Sequence, residues 1–118
     1  FFRPKPSPVG YGALFVADEI QTGLGRTGKF LAIEHWGVEP DVVLVAKALS
    51  GGHIPTGAVL TRKWIFDKLF NRMDRAVVHG STFAKNDMAM AAAPMAVSSE
   101  RRVPRIRLVL MVSPLEFV

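Results

Sequence analysis

ALFVA at residues 13–17 and VVLVA at residues 42–46 are the stretches whose reading decides the fold. Both are short, continuous apolar runs, the pattern of a strand buried on both faces. The first ends in Asp18 and Glu19, and the second runs directly into Lys47. AVLT at residues 58–61 is a third strand candidate. Residues 30–36 read as a short helix that stops near Gly37 and Pro40, and Ser50, Gly51 and Gly52 read as a flexible turn. Residues 63–70 form a helix candidate with apolar Trp64, Ile65, Leu69 and Phe70, and the alanine-rich residues 87–93 read as helix as far as Pro94. Strands separated by helices predict an α/β layered domain. Parallel strands that are apolar on both faces need helices on either side, so the sheet is expected to be mostly parallel with flanking helices. In such sheets the working residues gather at the carboxyl ends of strands, the position that Asp18 and Lys47 both hold.

Composition narrows the field. A chain of 118 residues, 49% of them hydrophobic, suits one small domain with a globular core. The absence of cysteine excludes a disulfide scaffold and any cysteine-based metal site or nucleophile, and it fits a reducing, cytoplasmic compartment. Residues 1–10 are a proline-rich lead-in without the apolar stretch of a secretory signal. The longest late apolar run, residues 108–112, is far short of the roughly 20 residues needed to cross a bilayer. The chain reads as soluble, with no membrane partner. It opens on Phe1, which sets the expectation that it was processed or begins inside a longer sequence.

A net charge of +5 raises the question of a nucleic-acid partner. Residues 11–95 hold nine Lys/Arg against eight Asp/Glu, so the excess belongs to the two ends. Arg3 and Lys5 supply it at the start, and Arg101, Arg102, Arg105 and Arg107 at the end. No aromatic residues interleave with those arginines to stack on bases, and no nucleic-acid partner is expected. His35, His53 and His79 show no metal-like spacing, and no metal is expected. Trp36 and Trp64 read as packing residues.

The loop GLGRTGK, residues 23–29, fits two phosphate motifs at once. Gly23, Gly25 and Gly28 match G-x-G-x-x-G, which needs a strand leading straight into it and a helix opening from it. Here residues 18–22 intervene, and Asp41 lies before its strand instead of at a strand end. Gly23, Gly28 and Lys29 nearly make a P-loop, but Phe30 stands where a Ser or Thr must hold magnesium. The alternative is a turn loop whose glycines supply positive φ angles.

Another chemistry uses more of the chain. Pyridoxal phosphate (PLP) needs a lysine for its aldehyde and a carboxylate against its pyridine nitrogen. Its phosphate needs N–H and hydroxyl donors. Asp18 follows one buried strand, Lys47 follows the next, and Ser81 and Thr82 lie in a glycine-containing loop. Singly, each has a plain reading as a capping acid, a solvated lysine or a loop hydroxyl.

Together they carry a resemblance. FVADEIQTGLGRTGKF at residues 15–30, followed by PDVVLVAKALSGG at residues 40–52, is similar to the cofactor-attachment region of class-III aminotransferases. These include the ornithine, acetylornithine, 4-aminobutyrate and ω-amino acid enzymes. Phe15, Val16, Asp18, Glu19, Ile20 and Gly23 fill the first block of that pattern, and Asp41, Val42, Ala46, Lys47, Gly51 and Gly52 the second. The resemblance implies the large domain of a fold-type I PLP enzyme. Lys47 would form the Schiff base with the cofactor and, once released, act as general acid/base. Asp18 would pair with the pyridinium nitrogen, and Gln21 would lie beside the ring near its phenolic oxygen. HGSTF at residues 79–83 resembles the loop that reaches the cofactor phosphate of a neighbouring subunit, with Thr82 the main donor and Ser81 beside it. A homodimer with shared sites would follow. Glu19 and Arg26 read as ion-pair or loop partners.

The resemblance covers residues 11–95, and the chain departs from it in places. Relatives continue that last loop with Gly-Gly-Asn-Pro, where this chain has Ala84, Lys85, Asn86 and Asp87. Residues 1–10 and 96–118 do not match, and the tail is expected to be frameshifted, misjoined or disordered. Family members are several times longer. They add a second phosphate loop, an aromatic residue that stacks on the ring, and a small domain with an arginine for the substrate carboxylate. The expectation is a partial large domain that is poorly folded and inactive when isolated. Three alternatives stay open: a racemase or aminomutase on the same scaffold, a non-catalytic remnant, and a nucleotide-binding module built on the glycine loop.

Overall fold

A computed structural model of the chain describes residues 12–76, 86–98 and 107–109. Four strands, β1 (Val16–Asp18), β2 (Val42–Val45), β3 (Ala58–Thr61) and β4 (Arg107–Val109), form one sheet in the order β1-β2-β3-β4. Among the described residues three α-helices accompany them: α1 (Lys63–Leu69), α2 (Met73–Ala76) and α3 (Asp87–Ser98). Single 3-10 turns cover Ala32–Trp36 and Lys47–Ser50. The fold is α/β, as expected from the apolar runs.

The sheet is mixed, and the expectation of a mostly parallel sheet holds only for β1 and β2. β2 pairs antiparallel with β3, and β3 antiparallel with β4. The connections explain the difference. Residues 19–41 are long enough to cross over and return parallel. Residues 46–57 contain one 3-10 turn and then reverse at Gly51 and Gly52, which sends β3 back alongside β2.

Burial falls mainly on one face of the strands, and not equally on both as their continuous apolar runs suggest. Ala17, Val43 and Leu60 are in register across β1, β2 and β3, and Val45 faces Ala58. With Leu31, Leu49 and Ala93, the β2 and β3 members of this face form the core, and Leu24, Phe30 and Ile33 pack against it. The opposite face carries Val16, Val42, Leu44, Val59 and Thr61, of which Val16 is exposed, Thr61 is buried and the others are half-buried. Alternating residues point to opposite faces of a strand, so an uninterrupted apolar run does not itself supply a second covering layer.

Two further elements depart from expectation. α3 continues through Pro94 to Ser98 instead of stopping at the proline. Pro94 forfeits the bond to the Met90 carbonyl, but the helix has strong helix formers on both sides and packs against the Lys47–Ser50 turn. β4 arises in the tail, where no periodicity marked an element, by pairing Leu108 with Leu60. α2 was not foreseen either. Among the described residues no helix is long and apolar enough to cross a membrane.

Leu49 joins the sheet to α3 through the Lys47–Ser50 turn and has no exposed surface. Leu49→Ala is expected to cost about 2–5 kcal/mol, as a buried leucine truncation does. Leu69→Ala, at a position 46% exposed, should stay within about 0.5 kcal/mol. Urea midpoints of the two variants against the parent check the contrast.

Candidate active site

The carboxyl ends of β1 and β2 lie at the same edge of the sheet because the two strands are parallel. Asp18 is the last residue of β1 and sits opposite Leu44, and the Glu19 N–H extends the pairing by donating to the Leu44 carbonyl at 2.9 Å. Beyond Val45, Ala46 is extended (φ −157°), and Lys47 then takes φ +50° at the head of its 3-10 turn. A left-handed backbone on a non-glycine residue costs on the order of 1–3 kcal/mol and persists only where its surroundings impose it. Here the Leu49 N–H donates to the Ala46 carbonyl at 3.1 Å, the Gly51 N–H to that of Ala48 at 2.9 Å, and Leu49 is locked in the core.

Lys47 is exposed, and its Nζ donates to Oε1 of Gln21, also exposed. That bond spans from the turn after β2 to the turn after β1. Asp18 is exposed, and its Oδ1 accepts from the Ile20 N–H at 3.0 Å, so it caps the turn that Gln21 occupies. The structure thus brings three of the expected site residues, Lys47, Asp18 and Gln21, to one edge. Ser81 and Thr82, with the rest of residues 79–83, lie outside the described residues.

Glu19, read from sequence as an ion-pair or loop partner, is buried. Its Oε2 accepts from Thr22 Oγ1 at 2.5 Å and its Oε1 from the Ile33 N–H at 2.7 Å. The turn closes with the Gly23 N–H donating to the Glu19 carbonyl at 2.9 Å. A Cβ at Gly23 would lie 2.8 Å from that carbonyl oxygen, which explains why glycine is needed there. The rest of the glycine loop turns inward. The N–H groups of Leu24 and Gly25 donate to the Phe30 carbonyl, and that of Gly28 to the Gly25 carbonyl. Gly25 and Gly28 have φ of +90° and +84°. His35 Nε2 contacts Thr27 at its carbonyl and hydroxyl. An anion cradle needs free N–H groups, and these are engaged within the loop.

Two residues had no chemistry assigned and have structural work. Asp41 Oδ2 accepts from the Phe15 N–H at 3.0 Å. Arg62 forms ion pairs with Glu39 at 3.0 Å and, outside hydrogen-bond geometry, with Asp41 at 3.3 Å. This brace ties the entry of β2 to the exit of β3. The advance signals were an acid immediately before an apolar run and the place of Asp41 in the family pattern; Arg62 had none.

An α/β sheet with an acid and a lysine at one carboxyl edge, superposing on solved transaminases, is an aminotransferase architecture. The chain belongs to the class-III aminotransferase family, whose model matches residues 9–99. It is 49% identical over 82 residues to the putrescine aminotransferase of Pectobacterium atrosepticum, covering 70% of this chain and 17% of that protein. It is 52% identical over 81 residues to the ornithine aminotransferase of Plasmodium falciparum, covering 69% of this chain and 18% of that one. The solved ornithine aminotransferase of Toxoplasma gondii matches with a TM-score of 0.62 at 45% identity, over 72% of this chain and 19% of that chain. The chain therefore spans less than a fifth of the length of these curated relatives.

Gly23→Ala is expected to force the Glu19–Gly23 turn open. The loss should be about 1–3 kcal/mol of stability, the range for overpacking a close contact. Amide exchange at Ile33, whose N–H bonds to Glu19, should accelerate with it, and an unchanged exchange rate there would contradict the close-approach account.

Proposed function

We propose that this chain carries the cofactor-attachment segment of a PLP-dependent aminotransferase, which moves an amino group between an amino acid or amine and an oxo acid. The observation that carries the reading is the Lys47–Gln21 hydrogen bond at the carboxyl edge of a parallel strand pair that also ends in Asp18. Membership of the class-III family supports it, as does the T. gondii relative, whose structure has PLP at partial occupancy at its active site.

The donor set fits such a cofactor. Lys47 offers an exposed amine, Asp18 an exposed carboxylate and Gln21 an amide bonded to Lys47. When bound, PLP supplies an aldehyde that captures amines and a ring that withdraws electrons from the neighbouring carbon. Asp18 would hold the positive charge at the ring nitrogen by charge-assisted hydrogen bonding. Gln21 would orient Lys47 Nζ and reach the ring's phenolic oxygen. Lys47 Nζ, once free, would take a proton from the substrate carbon and return it, the work of a general acid/base. Ser81 and Thr82 are proposed to hold phosphate, on the resemblance of residues 79–83 to the family loop, and that loop supports a homodimer. A cytoplasmic location is proposed from composition.

The glycine loop does not favour the nucleotide-binding alternative, since the N–H groups of Leu24, Gly25 and Gly28 bond inward. Borohydride reduction of the protein with PLP, followed by peptide mass spectrometry, tests the reading by covalent capture and not by turnover. The expected result is a pyridoxyl adduct on Lys47 that Lys47→Ala abolishes. An adduct spread over exposed lysines such as Lys29 and Lys63, with none favoured, would sink the proposal.

A further inference from the structure

Glu19 is the only buried acid among the described residues, at 3% exposure. A carboxylate is costly to bury unless its oxygens are hydrogen-bonded. Both oxygens are, and to different elements: one to the Thr22 hydroxyl within the turn, the other to the Ile33 N–H in the 3-10 turn Ala32–Trp36. The backbone of the same residue is bonded on both sides, to Leu44 on β2 and to Gly23. Glu19 is thus fastened to the sheet, to the far end of its own turn and to the next element. Gln21 lies inside the span that Glu19 closes, and its amide oxygen accepts from Lys47 Nζ.

We infer that Glu19 is a positioning residue, which holds the turn so that Gln21 can engage the Lys47 amine, and so sets the orientation and reactivity of that amine without touching it. The inference rests on the reading of Lys47 as the reacting group. It distinguishes between the two acids of the Asp18–Glu19 pair, one exposed at the edge and one buried behind it. The chemistry also fixes which replacement should work. Glutamine can reproduce both contacts, its carbonyl accepting from the Ile33 N–H and its amide donating to the Thr22 hydroxyl, which accepts as well as donates. Alanine leaves both of those groups without the partner they have now.

The test is the rate at which a small N-hydroxysuccinimide ester acylates Lys47, read site by site by peptide mass spectrometry with Lys29 as internal reference. No cofactor is needed. Glu19→Ala and Gln21→Ala should each speed acylation of Lys47 roughly two- to tenfold, the span of one intramolecular hydrogen bond, with Lys29 unchanged. The double variant should react no faster than either single one, because the two residues act through one contact. Glu19→Gln should keep the parent rate. A parent rate in Glu19→Ala, effects that multiply in the double variant, or Glu19→Gln behaving like Glu19→Ala would each overturn the inference. Should Glu19→Ala lose its far-UV circular dichroism, Thr22→Val replaces it: a rate between those of the parent and Gln21→Ala supports the inference, and the parent rate overturns it. Borohydride fixation of PLP on the parent protein is run alongside. If coupling holds while Lys47 captures no cofactor, the positioning stands and the assignment of Lys47 as the cofactor lysine falls.

Discussion

The parallel pairing of β1 with β2 is the constraint on which the rest depends. Its register sets Val16 opposite Val42 and Asp18 opposite Leu44, so both strands deliver their carboxyl ends to the same edge. A slip of one residue would turn Ala17 away from the core and move Asp18 to the other face, because side chains alternate with a period of two. The Glu19 N–H bond to Leu44 continues the pairing one residue past β1. The site therefore begins while the chain is still tied to the sheet, and the turn that holds Gln21 inherits that order. Antiparallel β2 and β3 could not have produced this edge, since their carboxyl ends point in opposite directions.

The second requirement is that Lys47 leave the strand sharply. A left-handed residue at a strand end is disfavoured for anything but glycine, so the turn after it must be anchored. Leu49 is buried without exposed surface and α3 packs on the turn. Ser50 Oγ donates to the Ile54 carbonyl at 2.5 Å and accepts from the Ile54 N–H at 3.1 Å, which fixes the exit of the same turn. The strained residue is thus held between a packed leucine and a bonded serine, while its own side chain stays in solvent. Strain of this kind is sustained by neighbours and is often found where a side chain must be presented in one direction.

Much of this was legible in the residues and some was not, for identifiable reasons. β3 spans the residues its apolar pattern marks, and β2 ends one residue before the run does. Both are short apolar runs with clear turn signals beside them. β1 begins later than its run, at Val16, and burial on the second face is incomplete, because a continuous apolar run says what a strand could bury and not what is there to cover it. The antiparallel direction of β3 is not legible in the residues, since pattern carries no polarity and the length of a connection is a weak guide to it. Pro94 by itself predicts a stop, yet its cost is local and the packing of α3 is not. At the site, a place after an apolar run marks Asp18 and Lys47 as candidates, while their expected roles, like that of Gln21, come from the family resemblance. The partners of Glu19 were invisible, for the Ile33 N–H is 14 residues away and no periodicity links the two.

The glycine loop shows where motif spacing and chemistry part company. G-x-G-x-x-G and the P-loop pattern both describe a backbone that can bend sharply, and residues 23–28 do bend sharply. What those motifs need in addition is a set of N–H groups left unbonded at the opening of a helix. Here the bends are used to fold the loop upon itself: Leu24, Gly25 and Gly28 donate inward, and Gly23 allows the chain to pass within contact of the Glu19 carbonyl. The same glycines that imitate a phosphate cradle therefore serve to close a turn. That turn also carries Gln21, so the glycines shape the segment whose amide oxygen accepts from Lys47 Nζ.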